Sequence, residues 1–268
     1  PPTACWEKAR QGDYQGAIED FDRVLQLEPN CAKGYYNRGL ARYDLGSAQG
    51  AIEDFNKALK FDPNYAAAYN KRGYVRRTIG EFQEAIADFN QALELNPDFA
   101  QAYINRGMAY FDLGNLQGAI ADFTQVLKMN PHLAEAYLSR GLARFELGDK
   151  EGAIADYQQA LEINPYLAEA YNNLGMARFE LGDKQAAIAD FSKAIQIDPY
   201  LVEGYNNRAL VRFHLGDYQG AMEDYKQALQ INSSLTDIYY NRALVHYTLG
   251  EKQEAVEDYN QILVMNPN

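Results

Sequence analysis

Residues 137–149 read YLSRGLARFELGD, and residues 171–183 read YNNLGMARFELGD. The second stretch begins 34 residues after the first, and the two agree at most positions. Glycine recurs at the same interval along the whole chain, at Gly12, Gly46, Gly80, Gly114, Gly148, Gly182, Gly216 and Gly250. A fixed period of this length indicates an array of structural repeats rather than one globular core.

A proline divides each period a second time. It follows the turn glycine by 17 residues, with Ser233 as the exception, at Pro29, Pro63, Pro97, Pro131, Pro165, Pro199 and Pro267. Between these marks, apolar side chains three and four residues apart predict amphipathic helices of about 13 residues. We expect the glycine to end the first helix, an aspartate such as Asp149, Asp183 or Asp217 to cap the second, and Asn-Pro to end it. The chain is therefore predicted to be all-α and built from helical hairpins.

Residues at fixed distances from the turn glycine have a packing explanation. From the turn at Gly46 onward, glycine or alanine stands seven residues before the turn glycine, and alanine stands five after every one, so small side chains would let the two helices approach closely. Tyrosine eleven before the turn and an aromatic nine after it are predicted to fill the core.

Opposite charges also recur together. Aspartate stands eight residues after every turn glycine, and arginine stands eight before it in six of seven full repeats. We interpret them as an ion pair between the helices of each hairpin rather than as a row of catalytic or ligand-binding acids. Leu174 interrupts the arginine row, and Arg178 is the expected replacement partner of Asp190.

The order of aromatic, glycine, turn glycine, alanine, aromatic, alanine and proline is found at Tyr137, Gly141, Gly148, Ala153, Tyr157, Ala160 and Pro165. This pattern resembles the tetratricopeptide repeat over nearly the whole chain. The frame is a partial repeat at 1–31 and seven repeats at 32–65, 66–99, 100–133, 134–167, 168–201, 202–235 and 236–268. The resemblance implies one continuous right-handed superhelical solenoid, whose first helices line a concave groove that holds peptides or extended protein segments.

The first-helix face that does not pack within the hairpin supplies the candidate binding residues. An amide there could pair with the C=O and N–H groups of an extended peptide, and proteins of the family that hold peptides through an asparagine ladder look similar at this position. The candidate amides are Asn37, Asn105, Asn172, Asn173, Asn206, Asn207 and Asn241. An apolar floor is predicted at Phe111, Phe145, Phe179, Phe213, Leu142 and Met176, and an acidic rim at Glu135, Glu169 and Glu203. The alternatives are ordinary solvation for the asparagines and packing between neighbouring first helices for the floor.

The net charge of −12 argues against nucleic-acid binding and favours a partner with basic residues. Few groove positions carry Lys or Arg, which counts against the chaperone-tail-binding branch of the family. No apolar run is long enough to span a membrane and no secretory leader is recognisable, so we expect a cytoplasmic location without membrane insertion. Cys5, Cys31 and the three histidines form no metal-ligand pattern, and no cofactor is expected.

Two other functions remain open at this stage. The chain has no Gly-rich phosphate loop and no nucleophile with a His partner, so we do not expect an enzyme, although it could be the targeting module of a longer one such as a kinase or glycosyltransferase. It could also be a self-associating structural scaffold. Pro1 and Pro2 begin a truncated helix, and no capping helix is seen to cover Tyr259, Ile262 and Leu263, so exposed ends could stack.

Overall fold

A computed structural model describes residues 11–266, and these form fifteen α-helices. Pro1, Pro2, Cys5, Pro267 and Asn268 lie outside the described residues. The helices are α1 (Tyr14–Leu27), α2 (Ala32–Asp44), α3 (Ala48–Phe61), α4 (Ala66–Thr78), α5 (Phe82–Leu95), α6 (Ala100–Asp112), α7 (Leu116–Met129), α8 (Ala134–Leu147), α9 (Lys150–Ile163), α10 (Ala168–Glu180), α11 (Lys184–Ile197), α12 (Val202–His214), α13 (Tyr218–Ile231), α14 (Thr236–Leu249) and α15 (Lys252–Met265).

The chain divides into two compact units, Pro1–Pro131 and His132–Asn268. The first contains α1 followed by the hairpins α2–α3, α4–α5 and α6–α7, and the second contains the hairpins α8–α9, α10–α11, α12–α13 and α14–α15. Within each unit, the second helix of one hairpin packs on the first helix of the next. The predicted all-α architecture of consecutive helix hairpins is confirmed.

The turn inside each hairpin follows the predicted chemistry. All eight turn glycines have positive φ, between 79° and 92°, a region that favours glycine because it has no Cβ. Asp149 accepts a hydrogen bond from the Gly152 N–H at 3.0 Å and so caps α9. Asp183 and Asp217 cap α11 and α13 in the same way. The predicted glycine stops and aspartate caps are therefore confirmed.

The aromatic residues nine positions after the turn form the core of each hairpin. Phe55, Phe89 and Tyr157 are wholly inaccessible to solvent. The small residue before the turn faces this ring: a Cβ added to Gly141 would lie 2.7 Å from Tyr157 Cε1. The prediction that small residues let the two helices approach each other omits this contact, because the glycine also makes room for an aromatic ring.

The predicted ion pairs are present in all six repeats that have the arginine. Arg38 Nε donates to Asp54 Oδ2 at 2.8 Å and its Nη2 to Oδ1 at 2.5 Å. The same two-bond geometry joins Arg72 to Asp88, Arg106 to Asp122, Arg140 to Asp156, Arg208 to Asp224 and Arg242 to Asp258. These aspartates belong to the scaffold of each hairpin.

A second arginine row, four residues before the turn, also binds the aspartates. It consists of Arg42, Arg76, Arg144, Arg178 and Arg212, with bonds of 2.7–2.9 Å. The expected contact of Arg178 with Asp190 is confirmed as a member of this row. No helix within residues 11–266 has the length and apolar character needed to cross a membrane.

Candidate functional site

The candidate asparagines differ between the two units. In the first unit, Asn37 and Asn105 are only 6% and 5% exposed, so they offer little surface to a ligand. Asn105 Nδ2 donates to Asn70 Oδ1 at 3.0 Å, which joins α6 to α4. In the second unit, Asn172, Asn173, Asn206, Asn207 and Asn241 are half-buried and lie on consecutive first helices.

Asparagines of neighbouring first helices bind each other. Asn207 Nδ2 donates to Asn172 Oδ1 at 3.0 Å, and Asn241 Nδ2 donates to Asn206 Oδ1 at 3.2 Å. Each pair is 35 residues apart, one more than the repeat length. A primary amide has two donor hydrogens and an acceptor oxygen, so one bond leaves part of its hydrogen-bonding capacity unused. The amides therefore join the helices and retain some capacity for a ligand.

Asn173 differs from the other amides because position 138, 35 residues earlier, is a leucine. Leu138 cannot accept a hydrogen bond. Asn173 Oδ1 accepts a long bond of 3.5 Å from Asn172 Nδ2, and the Nδ2 of Asn173 has no partner among residues 11–266. Asn173 therefore has both donor hydrogens uncommitted, as has Asn206, which is bonded only through its Oδ1 within the described residues.

The apolar floor is largely half-buried. Phe145 packs against the cluster that contains Tyr157 and Leu174, while Phe179 and Met176 pack against the cluster that contains Phe191. Phe213 packs against the cluster that contains Tyr225 of its own hairpin and Val245 of the next, and Phe111 and Leu142 are also half-buried. These side chains pack neighbouring helices together and also present part of their surface.

The acidic rim lies at the starts of the first helices in the second unit. Glu135, Glu169 and Glu203 are exposed in the first turns of α8, α10 and α12, and Asp237 holds the same position in α14. None of the four forms an ion pair within the described part of the chain. Asp237 thus adds a fourth member to the predicted acidic rim of Glu135, Glu169 and Glu203.

Acidic residues in a first turn also stabilise the helix through its dipole. The fold does not require them here, because the equivalent positions in the first unit are Lys33, Ala67 and Gln101. The whole second unit is the more acidic: residues 132–268 contain 20 acidic and 11 basic residues, against 17 and 14 in residues 1–131.

Two tyrosines beside the rim were not recognised from the sequence. Tyr166 and Tyr200 are 80% and 78% exposed, and each precedes a rim glutamate by three residues. A tyrosine ring attracts a Lys or Arg cation over its face. Their recurrence at a 34-residue interval was the available signal, but it involves only two repeats.

The core of the α8–α9 hairpin contains a hydroxyl that is unpaired within the described part of the chain. Tyr157 is wholly buried, and its hydroxyl forms no hydrogen bond within residues 11–266. Burial raises the pKa of Tyr157 well above its usual value, and the negative charges of Glu146, Asp156 and Glu169 raise it further. The group is therefore neutral at physiological pH and carries an unused donor.

Family models match almost the whole length of the chain. Those described as tetratricopeptide repeat match residues 6–66, 104–168, 168–201, 236–268 and 55–87, and one described as TPR repeat matches 73–114 and 210–250. The chain belongs to the tetratricopeptide repeat family. No curated protein sequence matches it significantly.

Several solved structures have a similar fold. MamA is 29% identical over 60% of this chain and 94% of its own, with a TM-score of 0.56. A tetratricopeptide repeat protein from Parabacteroides merdae ATCC 43184 is 24% identical over 88% of this chain and 93% of its own, with a TM-score of 0.73. YrrB, described as having an unusual peptide-binding site, is 23% identical over 68% of this chain and 94% of its own, with a TM-score of 0.56.

Proposed function

We propose that this tetratricopeptide protein is a non-enzymatic interaction scaffold that holds an extended segment of a protein partner on the first-helix face of its second unit. Membership of the family supports a protein-interaction scaffold in general. The peptide-binding site described for YrrB supports the kind of ligand by analogy. The observation that carries the proposal for this chain is the uncommitted Nδ2 of Asn173, which stands on α10 between the rim residue Glu169 and the floor residue Met176.

The amides are suited to the main chain of the partner. An extended segment presents C=O and N–H groups whatever its sequence, and an asparagine can bind either. Asn173 donates with both hydrogens, while Asn207 and Asn241 contribute the capacity that their bonds to Asn172 and Asn206 leave free.

The rim selects a partner with basic residues. Four carboxylates that form no ion pair with any of residues 11–266, together with the exposed rings of Tyr166 and Tyr200, favour Lys or Arg side chains through charge attraction and cation–π contact. Such contacts raise the association rate and are weakened by salt.

Fluorescence anisotropy with defined peptides tests the proposal. The probe is a fluorescein-labelled peptide of alternating lysine and serine, about 12 residues long, because at about 3.3 Å per residue it crosses several first helices packed about 8–10 Å apart. We expect it to bind more tightly than a glutamate–serine peptide. The combined change Glu135→Gln, Glu169→Gln and Glu203→Gln should weaken binding about tenfold, at about 0.2–1 kcal/mol per exposed charge contact.

Matched variants separate the two parts of the proposal. Glu84→Gln, Glu151→Gln and Glu254→Gln together remove the same charge from first turns of second helices and should leave binding near the parent value. Asn173→Ala should weaken binding about threefold to tenfold, since a hydrogen bond contributes about 0.5–1.5 kcal/mol, whereas the exposed Asn260→Ala should not. Equal losses in the rim and control triples would refute the basic-partner proposal, and parent-like binding by Asn173→Ala would refute the amide role.

Self-association is a second candidate, favoured by one observation. Val256, Leu263 and Val264 on α15 are exposed, Val264 by 76%, and form an apolar face on the last described hairpin. Contiguous exposed apolar surface commonly marks an interaction site. Light scattering should show a mass that rises with concentration and returns to the monomer value in the variant Val256→Lys, Val264→Lys; a constant monomer mass in the parent would exclude this candidate.

A further inference from the structure

Side-chain hydrogen bonds between consecutive hairpins are unevenly distributed in the second unit. Between the α10–α11 and α12–α13 hairpins there are three: Asn207 binds Asn172, Arg208 Nη1 donates to Ser192 Oγ at 2.9 Å, and Lys184 Nζ donates to the His214 carbonyl oxygen at 3.4 Å. The arginine thus binds the aspartate of its own hairpin and a residue of the preceding hairpin. In the first unit, Arg72 and Arg106 similarly bind Asn56 and Asn90 at 2.6 Å.

Within the described residues, the interface between the α8–α9 and α10–α11 hairpins lacks both the amide–amide bond and the arginine bond to the preceding hairpin. Leu138 stands where an asparagine would accept from Asn173, and Leu174 stands where an arginine would reach back to position 158. One polar contact remains within the described residues of this interface, the ion pair of Lys150 with Glu180 at 2.5 Å. Both side chains are about a third exposed, and ion pairs of this kind contribute about 0–1 kcal/mol.

Apolar packing holds this interface instead. Leu174 packs in one cluster with Tyr157 and Ala177, and Leu138 and Phe145 pack against that cluster. Hydrogen bonds have preferred distances and angles, so two of them restrict how one helix can slide or tilt on another. Apolar contact is non-directional and keeps most of its energy when helices slide slightly.

We propose that the interface between the α8–α9 and α10–α11 hairpins is a hinge within the second unit. The α10–α11 hairpin and the hairpins after it tilt on the Leu138, Phe145 and Leu174 surface, while the α10–α11 and α12–α13 hairpins move together. Glu135 lies on one side of the hinge and Glu169 on the other, so the motion changes the separation of two rim carboxylates. The inference concerns the free protein and does not depend on the proposed function.

Double electron–electron resonance, which measures the distance between two spin labels, tests the hinge with two equivalent label pairs. Positions 151, 185, 219 and 253 are exposed and lie 34 residues apart on successive second helices. One pair, Glu151→Cys with Gln219→Cys, spans the hinge; the other, Gln185→Cys with Gln253→Cys, spans the same number of interfaces without it. Cys5→Ser and Cys31→Ser remove the native thiols. We expect the distance distribution of the 151–219 pair to be broader by about 1–2 Å, the size of sliding motions between packed helices.

Restoring the missing bonds provides the second test. In the variant Leu138→Asn, Leu174→Arg, the new amide can accept from Asn173 and the new guanidinium can bind Asp190 and Gln158. The 151–219 distribution should narrow to the width of the 185–253 pair, which should not change. Equal widths in the parent protein would overturn the hinge, as would an unchanged 151–219 width in the restored variant. If the restored variant does not fold, the comparison of the two parent pairs decides the question alone.

Discussion

Arg178 Nη1 lies 2.7 Å from Asp190 Oδ2, and within residues 11–266 Arg178 is the only basic side chain bonded to Asp190. Asp224, at the equivalent position, receives bonds from both Arg208 and Arg212. Burial raises the pKa of Asp190, Arg178 partly opposes this, and the charge of Asp183 adds to it. The missing arginine at position 174 therefore leaves a buried carboxylate with weak charge compensation.

Leu174→Arg should stabilise the protein at about pH 7 by about 1–2 kcal/mol, since hydrogen bonds to charged groups contribute about 1.5–3 kcal/mol and some apolar packing is lost. Because the folded pKa of Asp190 is raised, proton binding favours the folded state below the unfolded pKa, and this contribution is lost as pH rises through the folded pKa. The gain from the new arginine should therefore shrink as Asp190 becomes protonated, from about pH 7 to about pH 3.5. Urea unfolding at both pH values measures it.

Leu174→Met is the matched control, because it keeps the apolar volume and adds no charge. Its effect on stability should be small and should change little with pH. A gain from Leu174→Arg that is equal at both pH values would show that packing, rather than compensation of Asp190, is responsible.

Tyr157→Phe should raise the free energy of unfolding by about 1 kcal/mol. The hydroxyl of Tyr157 is buried and has no partner among the residues that the structure describes, and an unsatisfied buried polar group costs about 1–3 kcal/mol. The same change at the exposed Tyr166 should have almost no effect and controls for loss of a hydroxyl in general. A lower melting temperature for Tyr157→Phe would mean that the hydroxyl has a partner in solution.

His246→Arg should stabilise the last hairpin. His246 holds the position of the second arginine row, with Nδ1 2.7 Å from Glu251 Oε2 and Nε2 4.0 Å from Asp258 Oδ2. Arginine is always charged and can place a donor on the aspartate, as Arg212 does at 2.8 Å. The reciprocal change Arg212→His should lower the melting temperature, and opposite signs for the two variants are required by this explanation.

The contacts within one repeat were predictable from the sequence. Gly148, Asp149 and the pair of Arg140 with Asp156 recur at a fixed distance from the turn, and each has a direct backbone or charge explanation. Even the exception at Leu174 identified Arg178 correctly, since two helices of a hairpin offer few other cations near Asp190.

Contacts between repeats were not predictable in the same way. Asn207 and Asn172 are paired at a spacing of 35 residues, so comparing equivalent positions at 34 does not bring them together. Asn105 is buried because α4 supplies Asn70, and a helical wheel of α6 alone does not contain that neighbour. The binding roles of the asparagines and rim acids stay predictions for this reason, because a ligand is one more neighbour that the sequence does not include.

The 35-residue amide pairs also bear on how a gene for such an array can change in length. Loss of residues 168–201 by in-frame recombination would remove the α10–α11 hairpin, keep every other hairpin intact, and place Asn207 opposite Leu138 and Arg208 opposite Gln158. The event would remove Leu174, the one gap in the arginine row, but the new junction would still lack its amide pair. On the hinge proposal, a single duplication or deletion therefore changes the rigidity of a junction without substituting any remaining residue, and repeat number and flexibility can evolve together.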